Sequence, residues 1–182
     1  MDRLEREGRL ARVSEPVSPN LEITEIQTRL LDQGGPAVLF ENVVRENGST
    51  YSMPVLVNLF GTVERVAWGM NREVGELREV GEMLAFLRQP EPPGGWREAL
   101  DMLPLFKKVM AMKPKTTAKA PCQEVVLTGG GIDLGRLPIQ TCWPGEPAPL
   151  ITWPLVVTKG PEADKSGGDK RDNYNLGIYR MQ

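Results

Sequence analysis

Histidine is absent from this 182-residue sequence. Histidine is the usual general base near neutral pH and a very common ligand of protein-bound metals. Acid–base, nucleophilic or metal chemistry carried out by this chain must therefore use Asn, Arg, Glu, Asp or Cys, or must borrow groups from residues that are not present in it.

Cysteine and long apolar runs are also scarce. The two cysteines, Cys122 and Cys142, do not form a C-x-x-C unit, so we predict buried, reduced thiols in place of a structural disulfide. No apolar run approaches the roughly 20 residues of a membrane span, and the charged N-terminus does not resemble a signal peptide. We therefore expect a cytoplasmic protein.

The net charge of −2 argues against general nucleic-acid binding, which depends on clustered basic residues that neutralise phosphates. The positive charge is concentrated in residues 107–119, which hold five lysines and no acid. A solvated linker is the favoured interpretation of this lysine segment. The alternative is peripheral contact with an anionic surface, which places the protein on the inner face of the cell membrane.

Residues 1–115 are predicted to form a mixed α/β domain. A strand over residues 10–17 is followed by a helix that Ser18 or Asn20 caps and Gly34 ends. This helix buries a stripe made of Ile23, Ile26 and Leu30. Further strands are expected at residues 37–40 and 53–59, a turn at 46–49, helices at 62–68 and 77–87, and one short helix between Gly95 and the lysine segment.

Residues 120–182 are predicted to begin a second domain rich in β structure. We expect strands at 125–127, 150–158 and 174–181, a hairpin turn at 129–131, a turn at Pro144-Gly145 and a polar loop at 161–173. Pro154 interrupts an apolar run, which indicates a strand edge or a bulge. Because the sequence stops within the last strand, we expect it to be the N-terminal fragment of a larger enzyme.

The last predicted strand carries the residues best suited to binding a ligand. Strand alternation places Asn175, Gly177 and Tyr179 on one side and Ile178 and Arg180 on the other. An asparagine oxygen suits a hard cation such as Mg²⁺ or Mn²⁺, and arginine offers a planar fork for phosphate or carboxylate. A bulge near Gly177 is predicted, since one ligand would otherwise have to extend along the strand. An ordinary strand with polar surface residues is the alternative.

Cys142 is the other candidate that we considered. A nucleophilic cysteine needs a base to activate it, and no histidine exists in the chain to do so. We therefore predict that Cys142 is a neutral thiol packed in the core beside Trp143.

Several segments together resemble the UbiD decarboxylase family, over nearly all of the chain. The segments are residues 21–26, 34–42, 51–62, 77–81, 90–93, 120–123, 137–144 and 175–180. The last one matches the family pattern, which runs Asn, then Leu, Ile, Val or Met, then Gly, then Ile or Met, then Tyr and Arg.

The resemblance implies an N-terminal α/β domain, a split β-barrel that binds prenylated FMN, and a C-terminal oligomerisation domain that is missing here. It implies that Asn175 helps bind a Mn²⁺ that bridges to the cofactor phosphate, with a His and a Glu from later in the chain. It implies that Ile178, Tyr179 and Arg180 line the cofactor site, and that Arg180 joins two later glutamates in a catalytic network.

The implied activity is non-oxidative decarboxylation of 4-hydroxy-3-polyprenylbenzoate to 2-polyprenylphenol in ubiquinone biosynthesis. The implied partners are the polyprenylated aromatic acid, further copies of the chain in a homo-oligomer, and a ubiquinone-synthesis complex. The fragment alone is expected to be inactive. A decarboxylase for another aromatic or α,β-unsaturated acid, and a non-catalytic binding or assembly module, stay open as alternatives.

Overall fold

A computed structural model of the chain describes residues 1–89, 94–111, 117–160 and 174–182. These residues group into two units, one of residues 1–66 with 134–182 and the other of residues 67–133. The predicted division into residues 1–115 and 120–182 stays a prediction. The polar loop predicted at 161–173 and the middle of the lysine segment, residues 112–116, lie outside the described residues.

A three-stranded sheet organises the first unit. Strand β1 (Leu10–Val13) pairs in parallel with β2 (Ala37–Phe40), and β2 pairs antiparallel with β3 (Val55–Val57). A short helix α1 (Asp2–Arg6) precedes β1, and helix α2 (Glu22–Asp32) connects the two parallel strands. The mixed α/β class is confirmed, although α1 was not predicted and β1 and β3 are shorter than expected.

The core of the first unit lies against the central strand. Three of the four residues of β2 are buried, because a central strand has its hydrogen bonds satisfied on both edges and its faces covered. Ile23 is fully buried, and Ile26 and Leu30 pack against the same cluster, which confirms the predicted stripe of α2. Burial of a side chain of this size contributes about 1.5–3 kcal/mol.

Helix α2 ends where the glycines predict. The Gly34 N–H donates to the Leu31 carbonyl (3.2 Å) and the Gly35 N–H to the Leu30 carbonyl (2.7 Å), while Gly34 has a φ of 62°. This is the double hydrogen-bonded C-terminal motif that a left-handed residue closes.

The predicted cap of α2 is wrong. Neither Ser18 nor Asn20 caps the helix; the N-cap position is Leu21, which has a φ of 67° and makes no side-chain cap. The reason is a bridge between Asn20 and Thr141, in which the Leu21 N–H donates to the Thr141 carbonyl (3.0 Å). This bridge engages the backbone at Asn20 and Leu21, and the helix begins after them.

A buried polar cluster joins the end of β3 to helix α3 (Val63–Gly69). Asn58, at a φ of 55°, donates from Nδ2 to the Gly35 (3.1 Å) and Pro36 (2.9 Å) carbonyls. Arg65 is 3% exposed and donates to the Leu59 (3.1 Å) and Asn58 (3.0 Å) carbonyls. Burial of this guanidinium, and then the charge of Arg9, lower its pKa.

The predicted start of α3 is confirmed, because the Thr62 hydroxyl accepts a hydrogen bond from the Arg65 N–H (3.3 Å). The predicted turn at residues 46–49 is confirmed as well. Gly48 has a φ of 81° and its N–H donates to the Arg45 carbonyl (2.9 Å), and Val44 pairs antiparallel with Thr50 across the turn.

The second unit is helical. It contains α4 (Leu77–Arg88), α5 (Trp96–Asp101) and α6 (Leu103–Ala111), together with short 3₁₀ turns at Val74–Glu76, Pro121–Gln123 and Gly129–Gly131. The helix predicted at 77–87 is confirmed. Where one short helix was predicted after Gly95, the structure has two, α5 and α6, and α6 extends into the lysine segment that was expected to be a linker. Among the described residues, no helix of the chain has both the length and the apolar character that crossing a bilayer requires.

Two predictions in residues 125–131 are wrong. Val125 and Val126 are largely exposed and belong to no strand, because β-forming side chains stay extended coil unless another strand pairs with them. Residues 129–131 form a 3₁₀ turn, in which the Gly131 N–H donates to the Thr128 carbonyl (3.0 Å), and not a hairpin turn.

Residues 134–151 return to the first unit and complete it. Besides the Asn20–Thr141 bridge, the Thr141 N–H donates to the Pro19 carbonyl (3.1 Å). The Arg45 guanidinium donates to the Gly135 carbonyl (3.0 Å) and lies 4.1 Å from the centre of the Tyr51 ring. The predicted turn at Pro144-Gly145 is confirmed: Gly145 has a φ of 84°, and the Glu146 N–H donates to the Trp143 carbonyl (3.4 Å).

Candidate functional site

The candidate residues lie on a two-stranded antiparallel ribbon in the first unit. It consists of β4 (Leu155–Lys159) and β5 (Tyr174–Ile178). The register places Thr158 opposite Asn175 and Val156 opposite Gly177. Residues directly opposite each other in an antiparallel pair share a face, so Thr158, Val156, Asn175 and Gly177 lie on one face, as alternation along β5 predicts.

Tyr179, just beyond the end of β5, folds back along that face. Its backbone N–H donates to the Pro154 carbonyl (3.3 Å), and its ring lies across Gly177. A Cβ on Gly177 would stand 3.0 Å from the Tyr179 Cζ atom and closer still to Cε2. The ring thereby reaches Asn175, whose Nδ2 donates to the Tyr179 hydroxyl oxygen (3.2 Å).

This contact leaves the Asn175 Oδ1 atom without a hydrogen bond from any residue that the structure describes. A neutral amide oxygen on an open strand face fits one ligand position of a hard cation. It does not make a metal site alone, and within the described ranges no three His, Cys, Asp or Glu side chains are grouped to hold a metal. Asn175 therefore fits as a single ligand, and the other ligands of such a cation must come from elsewhere.

The predicted bulge exists, but on the other strand. Pairing runs without a break from Leu155–Ile178 to Lys159–Tyr174, so the position of Gly177 is regular. The next pair is Ile151 with Met181, joined by two hydrogen bonds of 2.8 and 3.2 Å. Between this pair and the pair Leu155–Ile178, the first strand advances four residues and the second only three. The extra residue therefore lies at 152–154. The prediction for Pro154 is confirmed and the one for Gly177 is wrong.

Ile178 and Arg180 are exposed. Among the residues that the structure describes, none forms a hydrogen bond or an ion pair with the Arg180 side chain. Within that part of the chain the guanidinium keeps its planar fork of donors for an anion. The structure brings Asn175 and Tyr179 into contact, and it leaves Ile178 and Arg180 outside that contact.

An open cleft of about 500 Å³ lies in the same unit and was not predicted. It is lined by Gln27, by residues 53–57 around β3, and by parts of the segment 137–153. Its lining is mainly apolar, and Ile151, which borders it, forms an isolated bridge with Met181, the residue after Arg180. Nothing in the periodicity of the sequence signals this cleft, because its walls lie about 80–100 positions apart.

Cys142 lies in the wall of this cleft and is half-buried, whereas Trp143 is mainly exposed. The predicted packing of the two side chains in the core is therefore wrong. Both cysteines are free thiols, but Cys122 is exposed and not buried. The Cys142 (2.8 Å) and Trp143 (3.3 Å) N–H groups donate to the Glu146 carboxylate, which fixes this turn at the surface.

Two family models match the chain in succession. Residues 1–84 match the 3-octaprenyl-4-hydroxybenzoate carboxy-lyase N-terminal domain, and residues 113–182 match the Rift-related domain of the same carboxy-lyase. Together they cover most of the sequence. The chain belongs to the UbiD family. The segment with Asn175 and Arg180 falls within the second match.

Solved UbiD-class structures are similar over the whole chain. The UbiD-class enzyme HmfF from Pelotomaculum thermopropionicum, in complex with FMN, is 27% identical with a TM-score of 0.64. An evolved dimeric form of HmfF with prFMN is 27% identical with a TM-score of 0.63. Vanillic acid decarboxylase of Sedimentibacter hydroxybenzoicus, in an open form, is 26% identical with a TM-score of 0.63.

These alignments cover 100% of this UbiD-family chain but only 33–34% of the solved ones. The chain thus spans about a third of the length of the UbiD-class proteins that it matches.

Proposed function

We propose that this chain supplies the N-terminal domain and the first strands of the flavin-binding domain of a UbiD-class decarboxylase that uses prenylated FMN and Mn²⁺. The observation that carries the proposal is the ribbon. Residues 175–180, which match the family segment, present an unengaged Asn175 oxygen and an unpaired Arg180 within the described residues. The FMN and prFMN complexes of HmfF support the choice of cofactor.

The reaction breaks the bond between an aromatic or unsaturated carbon and its carboxylate, releases CO₂ and places a proton on that carbon. Prenylated FMN supplies the electron sink when bound. Asn175 would provide one oxygen to the cation, and Ile178 and Tyr179 would line the cofactor site. Arg180 would fix carboxylate groups through its planar fork and stabilise negative charge beside the leaving CO₂.

We propose 4-hydroxy-3-polyprenylbenzoate as the substrate, with 2-polyprenylphenol as the product. The support is the description of the two matching family models, which is that of a 3-octaprenyl-4-hydroxybenzoate carboxy-lyase. Vanillic acid decarboxylase acts on a smaller aromatic acid, and it resembles this chain about as closely as HmfF does. Vanillate is therefore the alternative substrate to compare in the assay.

We also propose that the complete enzyme is a cytoplasmic homo-oligomer with peripheral contact to the inner face of the membrane. The dimeric form of HmfF supports assembly from several copies. Lys107 and Lys119, at the two ends of the lysine segment, are exposed, and a polyprenylated substrate partitions into lipid. Contact with other enzymes of ubiquinone synthesis would follow from that location.

The test is CO₂ release by the complete enzyme, reconstituted with prenylated FMN and Mn²⁺. The acids offered are 4-hydroxy-3-polyprenylbenzoate, vanillate and cinnamate, each against a reaction without protein. We expect release from the polyprenylated acid at the highest kcat/KM. Faster release from vanillate or cinnamate would overturn the proposed substrate but leave the proposed decarboxylase activity standing. No release from any acid by enzyme with a bound flavin would overturn the function and favour a non-catalytic module.

A further inference from the structure

We propose that Tyr179 is a positioning residue that holds the Asn175 side chain so that its oxygen faces the cation. The inference rests on the proposed function for the identity of the cation. The contact on which it depends is a property of the ribbon itself. It assigns a role to the Tyr179 hydroxyl that is separate from lining the flavin.

The first observation is the hydrogen bond. The amide of Asn175 has an acceptor end and a donor end, and only the acceptor end can bind a cation. In the structure the donor end is occupied, because Nδ2 donates to the Tyr179 hydroxyl oxygen (3.2 Å). A phenol can accept or donate, so it supports the orientation that a cation requires. Tyr179 is the one side chain among the described residues that hydrogen-bonds this NH₂ group, so removing the hydroxyl removes the contact that opposes rotation of the NH₂ toward the cation.

The second observation is the space over Gly177. Asn175 and Tyr179 lie about 13 Å apart along an extended strand, so contact between their side chains requires the ring to lie along the strand. Gly177 makes that possible, since a Cβ there would stand 3.0 Å from Cζ and 3.2 Å from the hydroxyl oxygen of Tyr179. Glycine at this position is thus needed for the ring and not for backbone freedom, because the strand is regularly paired there.

The third observation fixes the base of the side chain. The Tyr179 N–H donates to the Pro154 carbonyl (3.3 Å) beside the bulge at 152–154. Pro154 itself has no N–H, so it can accept from the opposite strand but cannot donate to it. The bulge therefore sets the backbone from which the ring turns back along the face.

The contact is tested first in the 182-residue chain, by the NMR shifts of the Asn175 side-chain NH₂ group. We expect Tyr179→Phe to move these resonances. The matched control is Tyr174→Phe, which removes a hydroxyl from the same strand on the opposite face and should leave them in place. Unchanged Asn175 resonances in Tyr179→Phe would overturn the inference whether or not the protein is a decarboxylase.

The role is tested in the complete enzyme by Mn²⁺ titration, with free Mn²⁺ followed by its electron paramagnetic resonance signal. Groups that orient a metal ligand typically contribute about 10-fold or more to metal affinity. We expect Tyr179→Phe and Gly177→Ala each to weaken Mn²⁺ binding about 10-fold, and Tyr174→Phe to leave it unchanged.

A double-mutant cycle decides whether Tyr179 acts through Asn175. In the Asn175→Ala background, Tyr179→Phe should cause no further loss of Mn²⁺ affinity. An additional loss of about 10-fold would overturn the positioning role and place the hydroxyl on the cation or the flavin directly. Wild-type enzyme that binds no Mn²⁺ would overturn the metal part of the proposed function, and the NMR result then stands or falls independently.

Discussion

Replacing Asn58 with alanine should destabilise the first unit far more than the loss of one surface amide would. Asn58 is 6% exposed, and its Nδ2 atom donates to the carbonyls of Gly35 and Pro36, in the turn that leads into β2. Alanine removes both N–H donors and takes from two part-buried carbonyl groups the hydrogen bonds that Asn58 gives them. A buried unsatisfied acceptor costs about 1–3 kcal/mol.

A second contribution comes from the backbone. Asn58 has a φ of 55°, in the left-handed region. For alanine the left-handed conformation is about 1–2 kcal/mol less favourable than the right-handed one. Because the two carbonyls are part-buried, each takes the lower end of its range, about 2 kcal/mol for both, and with the backbone cost of about 1–2 kcal/mol the predicted loss in the free energy of unfolding is about 3–4 kcal/mol. For a chain of this size, each kcal/mol lowers the melting temperature by about 2–4 °C, so we expect a fall of roughly 10 °C.

The assay is urea unfolding of the 182-residue chain followed by circular dichroism. Asn58→Gly keeps the backbone conformation available and should recover about 1 kcal/mol relative to Asn58→Ala. The matched control is Asn71→Ala: Asn71 has a φ of 54° but is exposed, so it carries only the backbone cost. If Asn58→Ala and Asn71→Ala proved equally stable, the two carbonyl hydrogen bonds would contribute nothing, and the reasoning would be wrong.

Three further predictions concern function. The 182-residue chain, supplied with prenylated FMN and Mn²⁺, should release no CO₂ above a no-protein control, since it has no histidine to complete the metal site; measurable release would contradict this. In the complete enzyme, Arg180→Lys should keep the flavin spectrum but lower kcat more than 100-fold, because a point charge cannot replace a bidentate fork; near-normal turnover would remove Arg180 from catalysis. Co-sedimentation with anionic vesicles should disappear between low and physiological salt, where the Debye length falls to about 8 Å, and salt-insensitive binding would reveal an apolar attachment.

Local signals in the sequence predicted local structure correctly. The apolar stripe of α2, the apolar run of β2 and the stop at Gly34 all depend on neighbours within a few positions, and all three are confirmed. The errors arise where a distant partner decides. Residues 125–127 have the composition of a strand but pair with no strand that the structure describes, and the cap at Asn20 is displaced by a bridge to Thr141.

The candidate site shows the same division. Alternation with a period of two placed Asn175, Gly177 and Tyr179 on one face, which follows from the strand alone. The direct contact between Asn175 and Tyr179 was missed, although the glycine midway between them was the available signal. Glycine was taken to mark a bulge, but the break lies opposite, at residues 152–154, because the register of two strands is a property of the pair.

The return of residues 134–151 to the first unit has a consequence for synthesis on the ribosome. The sheet is complete in sequence at Val57, but Thr141, which holds the backbone before α2, is made 84 residues later. At about 5–20 residues per second, this interval lasts about 4–17 s. During this interval the Thr141 carbonyl that accepts from the Leu21 N–H has not yet been made. Leu21 must either adopt its positive φ without that hydrogen bond or adopt it only after Thr141 is synthesised. Slowly translated codons between Val57 and Thr141 would prolong the period in which chaperones and proteases can bind the incompletely folded nascent chain.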